Sequence, residues 1–142
     1  MSPADAWRLR GRTLEAIGSL CLARLAVAWL PFTIWRGWLG LSGSASPDTV
    51  SEARRLAIHI ERGAARLPFP TLCLPRAMAL SWLLRRRAMP HQLVMAARPA
   101  DQRGGLDDLH AWVETGGTIV LGALPGAWLE TARFPAAMTP ID

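Results

Sequence analysis

The chain has 142 residues, 51% of them hydrophobic and 19% charged, which suits one compact domain with its own core and excludes a disordered tail. All sixteen basic residues are arginine and the formal charge is +5, which favours acidic partners. These arginines are scattered over several helical stretches without interleaved aromatics, so no specific nucleic-acid surface is expected.

Ser2 is a helix cap with Pro3 at the first turn, and the helix it opens is expected to run to Trp29. The amino-terminal residues lack the basic-then-apolar order of a secretory signal, which points to a cytoplasmic protein. Ile17 to Leu41 is very apolar, but Arg24, Pro31 and Arg36 interrupt it, so two helices joined at Leu30-Pro31 fit better than a membrane span. Trp29, Trp35 and Trp38 lie on or beside that joint and predict an exposed apolar patch. It has two readings, core packing or a docking face for another protein or the membrane surface. Ser42 to Pro47 is linker-like, and the chain divides there into an apolar helical region, 1–47, and a core, 48–142. Asp48 to Leu67 follows as an amphipathic helix, with Val50, Ala53, Leu56, Ala57, Ile60 and Ala64 on one face. His59 sits mid-helix with no thiol or carboxylate cluster nearby and reads as structural or surface.

The next stretch, Leu67-Pro68-Phe69-Pro70-Thr71-Leu72-Cys73-Leu74-Pro75-Arg76-Ala77, organises the chain. Pro68 and Pro70 disfavour helix before them, and Pro75 fits only a first turn, so a helix begins within a residue or two of Cys73. It is apolar on nearly every face to Leu84 and closes with Arg85, Arg86 and Arg87 at the negative end of its dipole. At the positive end a thiolate is favoured, and the unpaired N–H groups there can hold an oxyanion. The competing reading is that Cys73 fills space, as free cysteines usually do.

Beyond Met89-Pro90 the period changes. Gln92 to Ala97 reads as a strand, 99–105 as a loop, and Leu109 to Thr115 and Thr118 to Leu121 as a hairpin across Gly116-Gly117. Helices followed by an antiparallel sheet make an α+β plan. On the middle strand His110, Trp112 and Glu114 share a face. A histidine on a strand near the start of a buried cysteine-bearing helix suits a papain-like thiol site, in which imidazole takes the thiol proton and later protonates the leaving amine. Cys21 and Cys73 form no disulfide framework, and with His59, His91 and His110 they lack zinc spacing. No metal or other cofactor is expected.

The cysteine stretch, together with His110-Ala111-Trp112-Val113-Glu114, resembles the leader peptidase of lasso-peptide biosynthesis, the stand-alone catalytic protein of a transglutaminase-like superfamily, from about Ala53 to Phe134. The resemblance implies a papain-like fold, a nucleophile at Cys73 and a base at His110. The implied reaction is removal of a leader from a ribosomally made precursor before a separate cyclase closes the lactam. The family's third residue, an aspartate, is expected about a dozen residues after the histidine, where this chain has Gly122 and Ala123. Counted outward from the turn, His110 lies opposite Ala123. Asp107, Asp108, Glu114 and Glu130 are the candidates to orient the imidazole instead, the alternative being a dyad with a less well-held base; Asp108 ranks first, whereas Glu114 is two pleats from the histidine and reads as an exposed or structural charge. Trp112 is a candidate substrate contact.

The chain has no room for the winged-helix element that recognises leaders in this family, so a separate recognition protein is expected, with the N-terminal helices as its docking face. Two alternatives stand beside the peptidase. One is a catalytically degenerate binding or scaffold protein of the same complex, and the other a basic membrane- or nucleic-acid-associated protein.

Overall fold

In the computed structural model, which describes residues 2–104 and 108–135, the first helix α1 spans Pro3–Trp29. Ser2 Oγ accepts the Asp5 N–H at 3.2 Å, and the Asp5 carboxylate accepts the Ser2 N–H at 3.3 Å, a reciprocal cap that satisfies two end donors. Pro31 caps the single turn α2 (Phe32–Trp35), so the joint falls where the sequence places it. Helix α3 (Pro47–Arg66) starts on Ser46, whose Oγ accepts the Thr49 N–H at 3.2 Å. Helix α4 (Cys73–Arg86) carries Pro75 in its first turn and buries Ala77, Met78, Leu80, Leu83 and Leu84. Its end is tied to α1 by Arg86 and Arg87, which reach the two oxygens of Glu15 at 3.2 and 3.0 Å. The Arg87 hydrogen bond holds Glu15 below the usual carboxylate range.

One hydrophobic core runs through both segments expected from the sequence. Ala16, Leu20, Ala23 and Ala26 of α1 belong to the same buried cluster as Leu56 and Ile60 of α3 and Leu80 and Leu84 of α4. Small residues let the axes approach: Ser19 Oγ donates to the Ala79 carbonyl at 3.1 Å, and Gly63 leaves only 3.1 Å between a built Cβ and Ile17.

The sheet is antiparallel, in the order β3-β2-β1-β4, from β1 (Gln92–Ala97), β2 (Leu109–Thr115), β3 (Thr118–Leu121) and β4 (Leu129–Phe134). The first three match the sequence reading. Strand β4 was not expected from the sequence: it is an edge strand with no fully buried residue, so it lacks the apolar alternation that marks a half-buried one. Thr115 pairs with Thr118 across the Gly116-Gly117 turn, as counted. One step further the register shifts, because Glu114 faces Ile119 whereas Val113 faces Leu121. This irregularity on β3 overturns the count that set His110 opposite Ala123.

Ser81 and His91 join α4 to the segment before α3. His91 Nδ1 donates to the Met89 carbonyl at 2.8 Å, leaving Nε2 to accept from Ser81 Oγ at 2.7 Å, and Ser81 Oγ accepts the Gly40 N–H at 2.9 Å. Burial pushes the His91 pKa below the ordinary value of 6.5. His59, buried against Thr13 at 3.1 Å, is shifted the same way by burial and then by Arg62, so its role is structural. Both imidazoles charge more readily in the unfolded chain. The contribution of these two histidines to stability is therefore full above about pH 6.5 and is lost as the pH falls below it. The urea midpoint is expected to drop between pH 7.5 and 5.5, with a shallower drop in His91→Gln. Equal slopes in the two proteins would remove His91 from this account.

Trp35 is buried, edge-on to Phe32 at 4.8 Å, but Trp29 is 80% exposed and Trp38 44%. With Leu22, Leu25 and Trp82 they line an open apolar groove of about 590 Å³, with Arg85 and Arg86 among its lining residues. Among the described residues no helix is long and apolar enough to cross a membrane.

Candidate active site

Cys73 is the first residue of α4. The preceding segment bends at Leu67, Pro68 and Phe69 and is held from both sides. Arg24 of α1 lies over the Phe69 ring at 3.9 Å. Arg76 donates from Nε to Thr71 Oγ1 at 3.1 Å and pairs with Glu61 of α3 at 2.9 Å. The N-cap, Leu72, has no side-chain acceptor for the helix end; Pro75 has no N–H and the Arg76 N–H donates to the Leu72 carbonyl at 3.3 Å, so the N–H groups of Cys73 and Leu74 are the ones placed to meet a developing oxyanion. The thiol is half-buried.

His110 enters from the start of β2, whose neighbours Ala111 and Val113 are buried in the core that includes α4. Cys73 and His110 line one cavity of about 630 Å³, with Leu72, Leu74 and Pro75 contributed by the helix start and Leu109 and Ala111 by the strand start. The sequence-predicted pair is thus brought to one cavity from residues far apart in the chain. Thiol and imidazole are not hydrogen-bonded to each other, so proton transfer requires them to close across the cavity; such bonds are often long before substrate binds.

The imidazole itself is closely held. Its Nε2 lies 2.5 Å from the Gly122 carbonyl oxygen. The Trp128 ring lies 5.3 Å from it and the Trp112 ring 6.0 Å, and Arg98 stacks on Trp128 at 4.4 Å. Asp108 lines the same cavity, but its two carboxylate oxygens accept the Gly104 N–H at 3.2 Å each, closing the loop before β2. Trp112 sits beside the histidine and donates its indole N–H to Glu114 at 2.8 Å. Glu114 also pairs with Arg133 at 2.8 Å, and Arg133 with Glu130 at 2.6 Å, which makes both glutamates structural charges. Asp107 lies outside the described residues.

Sequence reasoning missed Trp128 and the Gly122 carbonyl. The only sequence signal for the second is a glycine at the end of β3 where an acid is expected; Trp128 follows Pro125-Gly126 with no pattern to mark it. Among the described residues no group of three or more His, Cys, Asp or Glu side chains is placed to hold a metal ion.

Comparison with known proteins agrees with the architecture. No curated protein and no solved structure matches the chain. Residues 19–138 match the family model of the transglutaminase-like superfamily, a span that takes in α2, α3, α4, strands β1 to β4, Cys73 and His110. With helices preceding an antiparallel sheet and a cysteine at the start of the buried helix, the chain belongs to the transglutaminase-like superfamily.

Proposed function

We propose that this protein is a cysteine peptidase that removes the leader from a ribosomally made lasso-peptide precursor. The observation that carries the reading is the single cavity holding a half-buried thiol at an uncapped helix N-terminus and the His110 imidazole, within a superfamily that includes cysteine peptidases. The lasso-precursor substrate rests on the resemblance of the two motifs. In the proposed reaction His110 takes the Cys73 proton and the thiolate adds to the scissile carbonyl. The resulting oxyanion meets the N–H groups of the α4 start. His110 then gives the proton to the leaving amine, which departs as the core peptide. Water, deprotonated by the same imidazole, attacks the thioester, and the leader leaves as a carboxylate with the thiol restored.

The apolar face of α1 is the proposed seat of a separate leader-recognition protein. Support comes from exposed Trp29, Leu22 and Leu25 beside the cationic Arg85 and Arg86, a combination that fits an acidic, apolar-faced partner.

The test is mass spectrometry of a lasso-type precursor incubated with the protein, with and without the recognition protein of the same biosynthetic system. Appearance of two separate fragments, whose ends correspond to the leader–core boundary, is expected. An intact precursor that nevertheless co-purifies with the protein would favour the second reading, a degenerate binding protein. Release of the protein from anionic vesicles by Trp29→Ser, with cleavage unchanged, would instead make α1 a membrane contact.

A further inference from the structure

The β2–β3 ladder ends at Leu121, and Gly122 turns the chain out of the sheet with φ +87°. That value lies in the left-handed region, which side chains other than glycine adopt at a cost. Space requires glycine as well: a Cβ at this position would come within 2.9 Å of the Ala111 carbonyl and 3.2 Å of Trp112 Cβ. The shift of register before Leu121 sets the position of this departure. Its result is the Gly122 carbonyl 2.5 Å from His110 Nε2. A carbonyl only accepts, so Nε2 carries the ring hydrogen, which in the neutral ring leaves the lone pair on Nδ1. The Trp128 indole lies beside the ring, backed by Arg98.

From this geometry we infer that the main-chain carbonyl of Gly122 is the positioning group for His110, standing where the resembling family has a side-chain acid. The inference rests on the cysteine-peptidase reading of the same cavity. A neutral carbonyl fixes the tautomer and the ring angle as a carboxylate does, but supplies no counter-charge to the imidazolium. It also explains how a chain with Gly122 and Ala123 at the acid's place keeps an oriented base: the backbone supplies the acceptor, and glycine is what lets the backbone come close enough.

The experiment uses the full chain with Cys21→Ser, so that only one thiol reports. ¹⁵N-NMR of the histidine nitrogens reads the His110 tautomer, and iodoacetamide alkylation of Cys73 at pH 6.5 reads the base. The Nε2–H tautomer is expected in the parent. Gly122→Ala is expected to slow alkylation on the order of tenfold or more, a part of what a positioned base contributes. Gly117→Ala, at φ +76° with nothing within 4 Å, carries similar backbone strain in the same hairpin and is expected to keep the parent rate. An Nδ1–H tautomer in the parent overturns the inference whether or not Gly122→Ala folds. A folded Gly122→Ala that alkylates at the parent rate, while His110→Ala is slow, also overturns it and leaves the peptidase reading standing. Equal rates in the parent, Gly122→Ala and His110→Ala overturn both.

Discussion

Cys73→Ala is expected to abolish leader cleavage, with a loss on the order of 10⁴-fold or more, because removing a covalent nucleophile leaves only binding and oxyanion stabilisation. The fold is expected to tolerate the change, since Cys73 is half-buried at the first position of α4 and makes no hydrogen bond with His110. Cys21→Ser is the comparison. Cys21 lies within α1 and does not line the cavity, so cleavage is expected to persist. Mass spectrometry of precursor turnover separates the two, and trapping of an acyl-thioester on the parent but not on Cys73→Ala would identify the bond formed. Turnover by Cys73→Ala at the parent rate would remove the thiol from the mechanism.

The second large effect is on stability. Leu20→Ala is expected to destabilise the protein by about 2–5 kcal/mol, the range for a fully buried leucine whose site relaxes only in part. Leu20 is 0% exposed and stands in the same cluster as Leu56, Leu80 and Leu84, and its Cδ1 lies 3.4 Å from a Cβ built at Gly63. The loss should appear in a single cooperative unfolding transition by denaturant, because α1 shares its core with the segment that carries Cys73. A loss below about 1 kcal/mol, or a separate early transition, would make residues 1–47 an appended segment. Leu25→Ser, on the exposed side of the same helix, is expected to change stability within about 0.5 kcal/mol.

Elements whose residues carry strong local signals were legible to within a residue or two. Ser2-Pro3 and Pro75 mark helix starts by geometry that proline and capping hydroxyls impose locally, and the helix expected from Asp48 starts one residue earlier, at Pro47, with Ser46 as its cap. Gly116-Gly117 marks the hairpin because both positions take positive φ, 57° and 76°. What escaped the sequence was set by tertiary context. Strand β4 is held at an edge by pairing with β1, so its composition need not alternate. The shift beside Val113 moves the register by one residue without a proline or glycine inside the strand to announce it. Cys73 and His110 were legible because their side chains carry the chemistry. The partner of His110 was not, because a main-chain oxygen belongs to every residue and only the path of the chain brings this one to the ring.

The most direct test of the central claim, that His110 acts on Cys73, is the rate of Cys73 alkylation by iodoacetamide from pH 5.5 to 9 in the Cys21→Ser protein with and without His110→Ala. The parent is expected to react at pH 6.5 about tenfold faster or more, with the two curves converging at high pH, where any thiol ionises unaided. The same rate in both proteins across the whole range would contradict it, leaving Cys73 an unassisted thiol at the end of a buried helix.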